Sequence, residues 1–557
     1  MSRSTFRQEA DPRRARVCAI SARATTVIGM CASTLLATLL TACSTAMPPS
    51  ASSPPASPPA VSTQPAAIAA AATSDDPLAP LQRGLRLNRL KAGEALPGWS
   101  LAERMAHHKV PGVAIAVLRN GEVVAARGYG LREAGTTDAV DADTLFSVGS
   151  VSKIATAATA LRFVADGRLD LDRDINTYLK SWQLAPQPGI ADARVSLRML
   201  LSHTAGLDVH GFPDFQPGEA MPTLLQTLDG TPPAKVGPVR LIHEPGARYD
   251  YSGGGTMIGQ LLLQELGGAD FETVARREVF DPLQMARSTF ANPLPAQRGN
   301  IAKAHDKDGA RVALPRGWES FPEQAASGLW TSANELGRFV GVLLRSYQGR
   351  ADFLPRPLAQ QMMTEVSPSM HGLGPRLEGT GIARVFHHGG DNDSYHAWIE
   401  GYLETGDGLV ILTNGDGGVP LRSEIRAAFS DAIGLGINSA LRVVDIDLGA
   451  PVYADYAGRY ELDTTVPADI RRGLIDSFDY PGFELVHGDG KLTLVLPGDD
   501  DSKQPKRYTA QALATDRFVG DGFTPFEFRL HRDARGQVRG ASVERTGDTA
   551  YSRRSAQ

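Results

Sequence analysis

The sequence predicts an α+β body, with one sheet assembled from both ends of a domain and helices between, followed by a separate, mostly β domain. Three observations carry this. Asn120 and Gly121 separate two strand-like runs in "VPGVAIAVLRNGEVVAARGYG", the strongest local hairpin signal. Helical periodicity then dominates, and strand-like runs return only at 385–387, 395–400 and 408–412. From about Val443 the pattern changes to short alternating runs bounded by Gly, Asp and Pro, as in "GKLTLVLPG" and "FEFRLHRDARGQVRGASVERTG".

The elements follow in chain order. A short helix near 101–108 precedes the hairpin. Helices are expected over 151–165, closing at Gly167, over 197–201, over 256–265, closing at Gly267, over 271–279 and over 332–344. "GLWTSANEL" reads as a capped helix start, with Trp330 packing and Ser332 or Asn334 near the N-cap.

At 557 residues and 42% hydrophobic content, the chain has material for two or more folded units. Cys18, Cys31 and Cys43 are its only cysteines, so nothing downstream can form a disulfide, a thiolate metal site or a cysteine nucleophile. Six arginines in residues 1–23 precede the apolar run "TTVIGMCASTLLATLLTAC", the order of an export signal rather than a spanning helix. The run ends in Leu40-Thr41-Ala42-Cys43, which resembles the lipobox of bacterial lipoproteins. That resemblance implies a signal peptide over 1–42, a lipid on Cys43 and, with Ser44 next, an outer-membrane anchor facing the periplasm. Residues 43–85, rich in Ala, Ser and Pro, are expected to form a flexible tether. Removing residues 1–42 takes away six arginines and two acids, moving the formal charge from −5 to −9. An acidic chain without a basic block has no electrostatic case for nucleic acid.

"FSVGSVSKIATAATA" (146–160) places a serine three residues before a lysine where a loop of small residues becomes a helix. Residues three apart share a helix face, so Ser150 and Lys153 can come within hydrogen-bond reach. A lysine amine shielded from water can take the proton of a serine hydroxyl, which makes a nucleophile. No serine lies in a GxSxG pattern, so the α/β-hydrolase elbow is absent and SxxK is the available route.

Four further stretches follow in order: "LRMLLSHTAGL" (197–207), "HEPGARYDYSGGGTMIGQLL" (243–262), "ASGLWTSANELGRFV" (326–340) and "FHHGGDNDSYHAWIE" (386–400). With the hairpin and the SxxK segment they resemble the class C β-lactamase and penicillin-binding-protein-like serine hydrolases, over roughly residues 96–437. That family includes esterases, D-aminopeptidases and DD-carboxypeptidases. The resemblance implies a β-lactamase/transpeptidase-like fold over 86–442, an antiparallel sheet flanked by helices with a helical subdomain, followed by the β domain at 443–557. It implies Ser150 as the acylated nucleophile, Lys153 as its partner and Tyr251 as a second proton carrier. His388, Gly389 and Gly390 match the family's Lys-Thr-Gly or His-x-Gly triplet on an edge strand, and the backbone N–H groups of Ser150 and Asp391 would hold the oxyanion. No metal or cofactor is implied; the partner is a small-molecule or peptide acyl substrate.

Two positions depart from the family. Gly253 stands where an asparagine usually contacts substrate, and His388 where true class C lactamases carry a lysine for the substrate carboxylate. Both weaken the case for β-lactam hydrolysis and favour short esters or D-amino-acid peptides. His387 should face away from His388 by the strand period of two, and His203 matches a position usually treated as structural. A metal cluster of His387, His388 and His396 lacks HExxH spacing. An alternative from another class is a slowly acylated or inactive penicillin-binding-like sensor of the cell envelope, for which Gly253 and the β domain speak.

Overall fold

A computed structural model describes residues 76–554 apart from 217, 315, 316, 319, 436, 437, 439, 444, 445, 463–481, 497–503, 521–525, 546 and 547. The export segment, Cys43 and most of the expected tether lie outside the described residues. The tether's last residues do not behave as one. Leu78, Leu81 and Leu85 are buried around a short helix, Ala79–Arg83, so the folded body begins ahead of the expected boundary at residue 86.

Among the described residues, the central sheet has six strands: β1 (Gly112–Arg119), β2 (Glu122–Gly130), β3 (Arg376–Glu378), β4 (Val385–Asp391), β5 (His396–Tyr402) and β6 (Gly408–Thr413). Their order is β2-β1-β6-β5-β4-β3, and every pairing is antiparallel. The first hairpin therefore joins the last strands directly, with Val113 opposite Thr413 and Leu118 opposite Gly408. Asn120 and Gly121 both take positive φ, 52° and 75°, as a two-residue hairpin turn requires.

β1 is buried on both faces, and its alternation divides two layers. Val113, Ile115 and Val117 pack with α1 (Leu101–His107) and with Leu421, Ile425 and Phe429 of a later helix, while Ala114, Ala116 and Leu118 face the larger core. That core contains α2 (Ser152–Ala165), α3 (Gly253–Gly267) and α4 (Ala333–Tyr347). The later helix is α5 (Gly418–Ile433), which the sequence pattern does not pick out. α2 is enclosed along nearly its whole length, which small side chains such as Ala155, Ala157 and Ala158 make possible.

After a short helix, Ala450–Tyr456, the expected β domain is an antiparallel barrel running from Gly458–Leu462 to Asp548–Arg554. Each described strand pairs with the next, and the last returns to the first, Tyr460 opposite Arg554. Its interior is filled: Phe483 stacks on Tyr460 at 5.0 Å between ring centroids and Phe518 on Phe528 at 5.4 Å.

α1 and α5 are clamped by one carboxylate. Glu424, buried, accepts from Arg104 at 2.6 and 2.7 Å and contacts His108 Nε2 at 2.9 Å. Removing it strands a largely buried guanidinium. Glu424→Ala is expected to cost about 3–5 kcal/mol in urea unfolding, whereas Arg119→Ala, at a pair half open to water, costs about 1 kcal/mol or less.

Candidate active site

The segment carrying Ser150 is built by two backbone contacts. Phe146–Ser147 pairs with Trp330–Thr331, and Val148 N–H donates to Leu329 O at 3.1 Å. The chain then turns through Gly149, at φ +48°, into the 3-10 turn Gly149–Val151, which runs into α2. A Cβ at Gly149 would lie 2.7 Å from Asp391 N, and one at Gly390 would lie 1.9 Å from Val148 O. Only glycines let the end of β4 touch this turn.

The register aims the β4 backbone at the turn that carries Ser150. Asn392 and Tyr395 exchange both backbone hydrogen bonds, at 3.0 and 3.3 Å. Bonded pairs alternate along an antiparallel ladder, so Gly390 bonds Ala397 and the amide of Asp391 points to the opposite edge, where Gly149 and Ser150 lie. The expected oxyanion donors thus stand on adjoining segments. β4 is not the outermost strand, as the triplet's expected edge position implied. β3 covers it up to His387, opposite Arg376, and leaves the edge free only from His388 onward.

Lys153 Nζ lies 3.1 Å from Ser150 Oγ and 2.9 Å from Ala326 O, and 5.0 Å from the Tyr251 ring centroid. It is 6% exposed. The segment carrying Ala326 is fastened to α2 on both sides: Thr156 Oγ donates to Ala325 O at 2.7 Å and Ser152 Oγ accepts from Leu329 N–H at 2.9 Å. As an ammonium Lys153 donates to Ser150; as a free amine it can accept the serine proton across the same contact.

Tyr251 directly precedes the N-cap of α3, Ser252, which accepts from Gly255 N–H at 2.9 Å. Its ring is held among histidines, with centroids 4.3 Å from His203, 4.9 Å from His210 and 6.2 Å from His371. His203 closes a short helix in the left-handed conformation, and its Nδ1 accepts from Ser252 N–H at 3.2 Å. His371 Nδ1 donates to Gly374 O at 2.9 Å while Nε2 accepts from Arg376 Nε at 3.2 Å, which fixes a neutral tautomer. Burial holds both imidazoles well below their ordinary pKa, helped by Lys153 beside His203 and by His203 and Arg376 beside His371.

His388 faces this cluster, 5.9 Å from His371 between centroids. Burial, then Arg376 and Lys153, push its pKa down to about 3. Its Nδ1 donates to Gly389 O at 2.6 Å, so Nε2 carries a lone pair, and no hydrogen bond reaches it although the residue is 3% exposed. His387 turns the other way, stacked on Trp398 at 5.0 Å and 3.4 Å from Glu378. His396 Nδ1 meets Asp391 at 2.7 Å. The three histidines share no centre.

Gly253 does not stand where a substrate contact was expected. It is buried in the first turn of α3; its N–H donates to His210 O at 3.0 Å, and a Cβ there would lie 2.9 Å from that oxygen and 3.1 Å from the Phe212 ring. The segment around His210 and Phe212 occupies the space an asparagine side chain would need.

Sequence pattern gives no sign of Glu323. It is 4% exposed; Oε1 accepts from Ser327 Oγ at 2.8 Å, and Oε2 has no hydrogen-bond partner. Burial pushes its pKa up to about 8 against the opposing pull of Lys153.

Residues 100–432, more than half the chain, match the Beta-lactamase family profile. The chain belongs to the beta-lactamase family. A D-aminopeptidase of Brucella canis (strain ATCC 23365 / NCTC 10854 / RM-666) is 25% identical over 294 residues, 51% of this chain and 52% of its own length. Protein flp of Staphylococcus aureus (strain N315) is 20% identical over 310 residues, 55% of this chain and 60% of its own. The chain thus spans about half to three-fifths of these relatives. The solved penicillin-binding protein homologue from Pyrococcus abyssi shares the fold at TM-score 0.52 and 18% identity, covering 80% of this chain and 96% of that one. In this beta-lactamase-family chain, the first residue of the expected triplet, His388, is an imidazole that burial holds neutral.

Glu323 also sets a pH dependence. Its folded pKa is raised, so between about pH 4.5 and 8 the folded state keeps a proton that the unfolded chain releases, and stability falls as pH rises. Glu323→Gln removes that slope. The variant's melting temperature is expected to gain on wild type steadily from pH 5 to pH 8 in calorimetry.

Proposed function

We propose that this protein is a serine hydrolase that cleaves ester or amide bonds through an acyl-Ser150 intermediate. The observation that carries the reading is Lys153 Nζ at 3.1 Å from Ser150 Oγ, on a turn in backbone contact with the end of β4. Ser150 Oγ attacks the carbonyl carbon as its proton passes to the Lys153 amine. The oxyanion forms between the N–H groups of Ser150 and Asp391, where one donor is worth about 3 to 4 kcal/mol. The leaving group departs with the proton, through Lys153 or the Tyr251 phenol, and water attacks the acyl-serine to return the free hydroxyl.

Short esters and amino-acid amides rank above β-lactams as substrates. Neutral His388 supplies no cation for a carboxylate, and Gly253 supplies no amide. The D-aminopeptidase relative supports the amide branch.

The test is labelling by a fluorophosphonate together with turnover of p-nitrophenyl acetate, D-alanine p-nitroanilide and nitrocefin. Ser150→Ala should abolish labelling and turnover, and Tyr251→Phe or Lys153→Met should lower kcat by about 10²–10⁴. Labelling that survives Ser150→Ala sinks the mechanism; strong nitrocefin turnover reverses the substrate ranking.

The same reading places the enzyme in the bacterial envelope, held by a lipid on Cys43, with the Ala/Ser/Pro segment as tether. In a bacterial host, Cys43→Ala should abolish incorporation of labelled palmitate and release the protein from the membrane fraction. An unchanged distribution refutes the anchor.

A further inference from the structure

The end of β4 that carries the Asp391 amide is weakly held by its own strand. Two residues without side chains, Gly389 and Gly390, precede Asp391. β3 stops pairing at His387, and beyond it β5 is the only strand paired with β4 among the described residues. Two successive glycines leave the backbone free to move unless something else fixes it. A donor to an oxyanion must nevertheless stand within a few tenths of an ångström of its place before the reaction begins.

The fastening comes from the other side of the sheet. A Cβ at Gly390 would lie 2.9 Å from Ser150 N, so that residue faces the serine. Side chains alternate along a strand, and Asp391, like Gly389, turns to the opposite face, where a Cβ at Gly389 would lie 3.4 Å from Arg422 Nη2. There Arg422 of α5 grips the Asp391 carboxylate with both arms, Nη1 donating to Oδ1 at 2.7 Å and Nη2 to Oδ2 at 3.2 Å. Nη1 also donates to Ala397 O at 3.0 Å, on the β5 residue paired with Gly390. His396 Nδ1 donates to Oδ1 at 2.7 Å. Asp391 is half exposed, and an ordinary surface pair of that kind contributes little to stability. This one is forked and reaches a backbone carbonyl as well, which gives it geometric specificity.

The base of the clamp is itself fixed. A Cβ at Gly418 would lie 2.1 Å from Thr413 Oγ1 and 2.8 Å from His396 Cδ2, so only glycine lets the first turn of α5 sit against the sheet here. On the far side of Asp391, Asn392 Nδ2 donates to Ser147 Oγ at 2.7 Å, tying the next residue of the chain to the segment that leads to Ser150. The Asp391 amide is thus fastened both by its own side chain and by its neighbour's.

We propose that Arg422 and His396, by clamping the Asp391 carboxylate on the reverse face of the sheet, set the position of the Asp391 N–H in the oxyanion hole. Both are positioning residues for attack by Ser150. This deepens the acyl-serine reading and rests on it.

The experiment is a double-mutant cycle on Arg422→Gln and Asp391→Asn, read as kcat/KM for p-nitrophenyl acetate and as the Ki of phenylboronic acid, whose tetrahedral adduct with Ser150 puts an oxygen in the same hole. Each single variant should lower kcat/KM by about tenfold, short of the about 10²–10³-fold lost with a deleted donor, and raise Ki by a matching factor. The double variant should be no slower than the slower single one, because both changes break one clamp. Arg422→Lys keeps the charge without the fork and should recover part of the loss, which covers the case of a glutamine variant that fails to fold. Losses that multiply in the double variant overturn the clamp. So does a fall in kcat/KM with Ki unchanged, the result of a smaller folded fraction alone. Fluorophosphonate labelling of the wild type separates the failures: label and turnover with multiplying losses reject the clamp alone, and absence of both label and turnover rejects the hydrolase reading with it.

Discussion

The site depends on where one ammonium group is held. Lys153 Nζ has two anchors, a serine hydroxyl on its own helix and the carbonyl of Ala326 on a distant segment. The second anchor fixes the amine where the first needs it. Without it, a long flexible side chain would lose about 2 kcal/mol of rotamer entropy on settling beside Ser150, with little to offset the loss. Thr156 and Ser152 fasten the segment on either side of Ala326 to α2, through Ala325 O and Leu329 N–H.

Around that cation the protein uses neutral rings rather than counter-ions. His203, His371 and His388 are all held below their ordinary pKa, and Tyr251 is braced by aromatic faces. A carboxylate in their place would compete with Ser150 and the Ala326 carbonyl for the Lys153 side chain. Unprotonated imidazoles position the phenol without competing for the amine. The carboxyl that does approach, Glu323, is itself kept largely protonated by burial.

The fold was legible wherever a local signal sufficed. Asn120-Gly121 marked the hairpin, Gly167 closed α2, and Ser332 capped α4 as "GLWTSANEL" indicates. The misses have physical causes. α3 begins at Gly253 rather than near Thr256, because three glycines read as a loop but here start a helix capped by Ser252 and pressed against Val239, His210 and Phe212. β4 runs on through Gly389 and Gly390, residues of poor strand propensity kept extended by their neighbours. α5 opens with Gly, Val and Pro and mixes charge into its buried face at Glu424 and Arg426, which hides its periodicity. At the site, Ser150, Lys153, Tyr251 and His388 could be found through ordered motifs. Glu323, His371 and the Ala326 carbonyl could not, since their roles exist only through contacts between distant segments.

α2 is surrounded on nearly every side by other parts of the main core. Local opening starts where few apolar contacts must be broken, and this helix offers no such starting point. Its amides should therefore be among the last to exchange with solvent, and the Ser150 hydroxyl at its head is supported by the slowest-opening part of the molecule. For such a protein, loss of the Ser150–Lys153 geometry and loss of the folded state become one event.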